Sequence, residues 1–169
     1  MSVAESIELL PEVQSFLNRG PLGGFVGGEE VMAADGAKFE THDPGSGQRL
    51  AEVAAMKAEA VDGAVRAAAR AFADSGWARM SPQERGAMLH RLADAGERRK
   101  KIIGQIEALD CGKIGWQAEG DVENFVATLR YFTDMAQHIQ HRNVLAVQGH
   151  EAWIVRQPWG PCGFIFPWN

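Results

Sequence analysis

The last twelve residues, 158–169, constrain the fold of this chain more than any other stretch. A turn segment rich in proline and glycine leads into an uninterrupted apolar run, 164–166, which Pro167 closes. A short apolar run between turn signals is typical of a strand buried on both faces of a parallel sheet. Ligands of α/β proteins bind just beyond the carboxyl ends of such strands. The sequence therefore predicts an α/β fold in which this strand ends at a candidate functional side chain, the carboxamide of Asn169.

Composition limits the class of protein. The chain has 169 residues, of which 46% are hydrophobic, enough for one domain with a core. A net charge of −5 argues against nonspecific binding to nucleic acid or to anionic membranes. The two cysteines, Cys111 and Cys162, form no disulfide framework and suit a reducing cytoplasm, which is the expected location. Acidic residues near the amino terminus argue against a secretory signal, and no apolar run approaches the roughly 20 residues of a membrane span.

Turn residues divide the chain into short elements. Proline at a first helical position predicts a helix from Pro11 to Asn18. Two hairpins are predicted at 25–31 and 38–53, each built around glycine turns, and a longer one at 144–156. A two-stranded ribbon is marginal in water and its edges invite pairing, so the longer hairpin is expected to need a partner.

Three helices are predicted between the hairpins. The first carries an alanine-rich apolar stripe and is ended by Gly76, with no good amino-terminal cap. The second begins with the capping box Ser81-Pro82-Gln83-Glu84 and ends at Gly112, a single helix of roughly 40 Å. The third runs from 117 to 140. The stripes of the second and third helices are Met88, Leu89, Leu92, Ile102, Ile103, Ile106 and Leu109, and Val122, Phe125, Val126, Leu129, Phe132, Ala136 and Ile139.

Two patterns on these helices have two interpretations each. The aromatic stripe of the third helix could line a ligand pocket, but at helical spacing it indicates core. The basic run 98–101 could contact nucleic acid, but the acidic balance of the chain favours a solvated helix face.

The terminal segment Gly160-Pro161-Cys162-Gly163-Phe164-Ile165-Phe166-Pro167-Trp168-Asn169 resembles a family motif. It is similar to the G-V-x-G-x-I-x-P-W-N strand of NAD(P)-dependent aldehyde dehydrogenases, and the resemblance extends upstream to about Gly24. Residues 109–113 resemble the family's L-D-x-G-K-P, with Ile114 in place of proline. The chain therefore looks like the amino-terminal third of such an enzyme. Residues 9–17 are also similar to the leader of phenylacetaldehyde dehydrogenases, L-L-P-x-V-x-x-F-L.

The resemblance implies a domain organisation. Residues 1–20 would be an amino-terminal extension, and 21–140 the helical part of the cofactor-binding domain with two short hairpins. Residues 141–157 would be an oligomerisation hairpin that pairs with another subunit, and 158–169 the first strand of an incomplete Rossmann-like cofactor sheet.

The resemblance also implies a reaction, the oxidation of an aldehyde to a carboxylic acid with NAD or NADP as hydride acceptor and NAD favoured. Asn169 would donate to the oxyanion formed when a thiolate attacks the carbonyl. The segment Ile165, Phe166, Pro167 and Trp168 would wall the cofactor cleft. The plainer alternative is that Asn169 only caps a strand. The family's nucleophilic cysteine and general-base glutamate would lie beyond residue 169, so we expect this chain to be inactive alone.

Other groups are poor candidates for chemistry. Cys111 lies at the carboxyl end of a predicted helix, which disfavours the thiolate, and Cys162 opens a predicted buried strand, where burial would raise its pKa. His138 and His141 are three apart without a third ligand, so no metal is expected. A second functional hypothesis is a truncated noncatalytic module that pairs with full-length aldehyde dehydrogenase subunits. The apolar run 164–166 has no neighbouring strands in this chain, so poor solubility or self-association is expected.

Overall fold

The computed structural model describes residues 8–166. Pro167, Trp168 and Asn169 lie outside the described residues. In chain order the elements are α1 (Pro11–Asn18), β1 (Gly24–Val26), β2 (Glu29–Val31), β3 (Lys38–His42), β4 (Arg49–Ala54), α2 (Ala58–Asp74), a 3₁₀ turn (Gly76–Arg79), α3 (Pro82–Arg98), α4 (Lys100–Cys111), α5 (Gly115–Ala136), β5 (Arg142–Val147) and β6 (His150–Val155). This order confirms the predicted α/β class, the three hairpins and the helix that starts at Pro11.

The strands form three separate antiparallel pairs, β1–β2, β3–β4 and β5–β6. Leu22 extends the β3–β4 pair by a parallel bridge to Val53. The β5–β6 ribbon pairs Arg142 with Val155 at its base and Val147 with His150 at its tip. Its turn needs a glycine, because Gly149 has φ 78°, a value that side-chain-bearing residues rarely adopt. The strands therefore form local hairpins. Ala51 and Ala54 of β4 are buried, but most of the buried residues belong to the helices.

The core lies where α3 and α4 pack along α5. The buried positions of α3 and α4 are mostly small, and those of α5 are also small or β-branched: Gly86, Ala93, Gly96, Gly104, Leu109, Ala118, Val122, Val126 and Thr133. Small residues let the backbones approach closely, so that a Cβ added at Gly104 would lie 3.1 Å from the backbone nitrogen of Glu119. The helices are therefore held by close backbone contact.

The single second helix of the sequence prediction is wrong, because the structure divides it at Arg99. That residue has φ −103° and ψ 12°, and its N–H is shared between the carbonyls of Ala95 (3.3 Å) and Gly96 (3.1 Å). Gly96 and Gly104, on either side of the break, both contact α5. The helices on either side of Arg99 thus both lie against the same partner, α5. The predicted ends are confirmed, with the capping box at Ser81 and a left-handed Gly112 at φ 71°.

The predicted apolar stripes are only partly buried. Phe125 and Phe132 of α5 are 52% and 62% exposed, so the core interpretation of the aromatic stripe is wrong for these two rings. Leu92 of α3 is half-exposed as well, because the buried face of that helix is the adjacent small-residue stripe. No residue of α2 is buried. Gly76 does not terminate α2; the helix ends at Asp74 with Ser75 extended, and Gly76 begins the 3₁₀ turn.

The predicted carboxyl-terminal strand is not formed within the described residues of this chain. Residues 162–166 are in no strand, and Phe164, Ile165 and Phe166 are all exposed. A buried strand needs neighbours that accept its backbone hydrogen bonds and cover its side chains, and none of the three described strand pairs includes this segment. None of the helices described between residues 8 and 166 combines the length and the apolar character of a membrane span.

Candidate functional site

The segment that leads to the predicted site leaves the base of the β5–β6 ribbon. Arg156 fixes that base: its backbone N–H donates to the carbonyl of His141 at 2.9 Å, and its guanidinium donates to the carbonyl of Gln140 at 3.0 Å and to Asn143 Oδ1 at 2.9 Å. Gly160 then passes α2, where an added Cβ would lie 3.9 Å from the ring of Phe72. The ribbon and α2 therefore set the direction of the segment.

Ile165 and Phe166 are the described members of the predicted cofactor wall. Their exposed fractions are 99% and 77%. The ring of Phe166 stacks on that of Phe164, with centroids 6.0 Å apart. A dinucleotide needs a cleft that buries most of its surface. The described residues offer apolar surface but no enclosure, so they do not by themselves fit a cofactor. The predicted roles of Pro167, Trp168 and Asn169 stay predictions.

The two thiols differ in environment. Cys111, at the last position of α4, is part-buried, and its Sγ lies 3.6 Å from Glu107 Oε1. Burial, with the carboxylates of Glu107 and Asp110, raises the pKa of the Cys111 thiol, as expected for a thiol that does not act as a nucleophile. Cys162 is exposed, so the burial predicted for it is wrong.

Among residues 8–166, no group of three or more histidine, cysteine, aspartate or glutamate side chains is placed to share a metal ion. His138 and His141 are exposed, as predicted. His90 of α3 lies 2.8 Å from a carboxylate oxygen of Asp134 of α5, and so belongs to the helix interface.

A cavity of about 420 Å³ lies between α2, the β1–β2 hairpin and the segment after it. It is lined by small and apolar residues such as Val26, Ala60 and Gly63, with charged groups at its rim. None of the predicted site residues lines it. The cavity and the predicted site are therefore separate features.

One side chain with two long-range contacts was missed by the sequence patterns. The carboxamide of Gln105 in α4 bonds backbone atoms of Glu8 and Leu10, which precede it by 97 and 95 residues. No local pattern signals such a contact, because its partners are backbone atoms and carry no side-chain signature.

The aldehyde dehydrogenase family profile matches residues 31–169. With more than half of its length matched, this chain belongs to the aldehyde dehydrogenase family. It is 39% identical over 149 residues to an aldehyde dehydrogenase of Aspergillus niger, covering 88% of this chain and 30% of that protein. It is also 32% identical over 150 residues to a cytosolic 10-formyltetrahydrofolate dehydrogenase of Xenopus laevis, covering 86% of this chain and 17% of that protein.

Solved structures agree with the sequence comparison. The NAD⁺ complex of an aldehyde dehydrogenase from Bacillus cereus superposes with a TM-score of 0.80 at 34% identity, covering 87% of this chain and 30% of that one. A betaine aldehyde dehydrogenase from Staphylococcus aureus superposes with a TM-score of 0.76 at 21% identity, a likeness of fold alone. This chain thus spans about 30% of the length of the aldehyde dehydrogenases it matches.

Proposed function

We propose that this chain supplies the amino-terminal part of an NAD-dependent aldehyde dehydrogenase subunit, which oxidises an aldehyde to the carboxylic acid. The observation that supports this most is the family match over 31–169 together with the superposition on an NAD⁺ complex. The similarity of residues 9–17 to phenylacetaldehyde dehydrogenase leaders makes aromatic aldehydes the first substrates to assay.

In this proposal the chain contributes binding and electrostatics, and another part of the enzyme contributes the nucleophile. The raised pKa of Cys111 supports that division, because a thiol held protonated is a poor nucleophile. Asn169 would stabilise the oxyanion through its side-chain N–H. Ile165, Phe166, Pro167 and Trp168 would form one wall of the nicotinamide cleft once the remaining strands of the sheet cover it.

A chimaera tests the proposal. The full 169-residue chain replaces the aligned amino-terminal segment of the Bacillus cereus enzyme, and NADH formation is followed with phenylacetaldehyde and acetaldehyde. We expect an active chimaera in which Asn169→Ala lowers kcat by about 10²–10³-fold, the usual cost of losing an oxyanion donor. The matched control is Asn124→Ala on the exposed side of α5, which should leave kcat unchanged.

Two results would contradict the proposal. A folded chimaera of normal oligomeric state without aldehyde-dependent NADH formation would contradict the oxidoreductase role. An active chimaera that is indifferent to Asn169→Ala would contradict the role of that side chain. The unmodified 169-residue chain should form no NADH by itself.

The β5–β6 ribbon supports a second element of the proposal, association with a copy of the chain or with a full-length subunit through residues 141–157. Val144 and Val155 are exposed on the ribbon although both are apolar. Covering such residues is favourable by about 25 cal/mol per Å² of apolar area. In sedimentation velocity, Val144→Glu should shift the chimaera towards monomer, and Gln148→Glu in the ribbon turn should not. Equal behaviour of the two variants would contradict a role for the ribbon.

A further inference from the structure

The amino-terminal strap, which we define as residues 8–18, lies before the segment matched by the family profile, 31–169. It consists of an extended stretch followed by α1, and it packs on α4 and β4. The side chain of Val13 in α1 is fully buried, at 0% exposure. The strap is therefore docked, and its docking site belongs to the body of the chain.

Gln105 of α4 binds the backbone of the strap at two points. Its Oε1 accepts from the N–H of Leu10 at 2.8 Å, and its Nε2 donates to the carbonyl of Glu8 at 3.0 Å. A residue in a parallel strand pair makes the same two bonds. Its N–H donates to the carbonyl of one residue of the neighbouring strand, and its carbonyl accepts from the N–H of the residue two positions further on. The backbone of Leu22 makes that pair with Glu52 and Ala54, at 2.8 Å each. The Gln105 carboxamide thus makes the two hydrogen bonds that one backbone residue of a parallel strand would make.

Pro11 prepares the strap for this contact. The residue before a proline is held out of the helical region, and Leu10 is extended, with φ −58° and ψ 140°. The extended backbone directs its N–H to Gln105, while Pro11 begins α1 without needing a hydrogen-bond acceptor of its own. The Gln105 contact therefore depends on the backbone conformation of the strap and not on its side chains. The buried side chain of Val13 adds apolar packing.

The strap is too short to be a stable helix without its docking contacts. α1 has 8 residues, and isolated helices shorter than about 12–15 residues are marginal in water. A pocket of about 230 Å³ that is partly open to solvent lies beside the strap. Its lining is mixed, with Leu9, Leu17, Leu50 and Leu109 next to the polar side chains of Gln14, Asn18, Asp43, Ser46, Gln48 and Arg49. A pocket of this size with polar walls has room for water, so the apolar contact between the strap and the body of the chain is interrupted there. Among the described residues, the hydrogen bonds that join the strap to the body of the chain are the two made by Gln105.

We propose that the strap is a separately opening unit and that Gln105 is its latch. When the two bonds break, residues 8–18 leave the groove and unfold together, and the apolar side chains of Leu50 and Leu109 become accessible. When they form, the groove is closed by this chain's own strap. The device is independent of the oxidoreductase proposal, because neither Gln105 nor the strap is among the proposed site residues.

Hydrogen exchange of the full 169-residue chain, read by mass spectrometry, tests the latch. In the wild-type chain the strap amides should exchange faster than those of α5. Gln105→Leu keeps the bulk of the side chain and removes both bonds, so exchange within 8–18 should become about ten- to a hundredfold faster, while α5 is unchanged. The matched control is Gln83→Leu in the exposed first turn of α3, which should leave the strap unaffected.

Gln105→Glu separates the two bonds. The carboxylate still accepts from Leu10 N–H but offers no donor to the carbonyl of Glu8, so the strap should exchange at a rate between those of wild type and Gln105→Leu. Two results would overturn the proposal: strap exchange that Gln105→Leu and Gln105→Glu leave unchanged, or acceleration spread equally over α3, α4 and α5. Strap amides that exchange at the same rate as α5 in the wild-type chain would also overturn it.

Discussion

The α3–α4–α5 interface and the region around α2 use apolar residues in opposite ways. In the interface the buried positions are mostly small, and the helices touch through glycine and alanine. On α2 the larger apolar residues Val61, Val65 and Phe72 are about half-exposed and no residue is buried. The size of its apolar side chains therefore does not decide whether a helix face is covered in this chain. A face is covered where small residues let two helix backbones approach closely.

The ion pairs of the two regions differ as well: those of the interface join different helices, and that of α2 lies within one helix. Across the interface Arg130 of α5 pairs with Asp94 and Glu97 at 2.7 Å each, and Lys100 pairs with Glu123 at 2.6 Å. The guanidinium of Arg130 lowers the pKa of Asp94. On α2 the pair Arg66–Asp62 lies within one helix. Since exposed ion pairs contribute little to stability, these contacts align α5 with α3 and α4 more than they hold them together.

The largest effect is expected where the interface is tightest. In Gly104→Val the new Cβ would lie 3.0 Å from Glu119 Cγ and 3.2 Å from Glu119 Cα, so α5 must move away. Overpacking of this kind costs about 3 kcal/mol. Urea unfolding measures it. The control is Gly120→Val on α5, where an added Cβ meets nothing within 4 Å; equal destabilisation by both variants would mean that close approach is not the cause.

A helix cap should matter less than the interface. Ser81 Oγ accepts from the N–H of Glu84 at 3.2 Å at the start of α3. Ser81→Ala should cost about 1 kcal/mol of unfolding free energy by urea titration, the usual value for an N-cap. Ser15→Ala on the exposed face of α1 is the control and should change little. A Ser81 variant as stable as wild type would show that α3 is held by its packing alone.

The opposite sign is expected on α2. A Cβ added at Gly63 meets nothing within 4 Å, and the residue lies inside a helix. Gly63→Ala should therefore stabilise the chain by about 0.5–1 kcal/mol through helix propensity. Thermal unfolding by circular dichroism gives the sign directly. A loss of stability would mean that this face of α2 is covered in solution and that the contrast with the interface is false.

Sequence reasoning succeeded where neighbours in the chain determine the outcome. The signals at Pro11, in the Ser81 capping box and at Gly112 act over a few residues, and the elements that they bound were predicted, as was the hairpin at 144–156. The break at Arg99 could not be predicted, because it depends on how α3 and α4 meet α5. The contacts of Gln105 could not be predicted either, because their partners are backbone atoms far away in the sequence.

Sequence reasoning about the candidate site was also limited by contacts that a local pattern does not contain. The run 164–166 has the composition of a buried strand, but composition cannot supply the neighbouring strands that bury it. Phe164 and Phe166 instead cover part of each other by stacking. The roles proposed for Ile165, Phe166 and Asn169 rest on the family motif, and the proposed chemistry also needs residues that this segment does not contain.

The contribution of Glu84 in the capping box to stability should depend on pH. The backbone N–H and hydroxyl of Ser81 lower the pKa of Glu84 in the folded chain. A carboxyl group with a lowered folded pKa stabilises at pH values above its unfolded pKa, about 4.3, and this stabilisation is lost as pH falls through the folded pKa. Wild type should therefore exceed Glu84→Gln in stability at pH 7, and the gap should close as acid is added. A gap that is constant with pH would contradict this assignment.

The smallest effect on stability is expected at Ile165, the most exposed of the large apolar residues in the described part of the chain. Ile165 is 99% exposed, so Ile165→Ser removes no packing and should change the unfolding free energy by less than about 0.5 kcal/mol. The same change should reduce self-association in sedimentation velocity, since it removes apolar surface next to Phe164 and Phe166. The matched control is Val13→Ser in α1, whose buried side chain should make the substitution clearly destabilising. If Ile165→Ser destabilises as much as Val13→Ser, the terminal segment is packed in solution, and the contrast between covered and uncovered apolar residues would not extend to it.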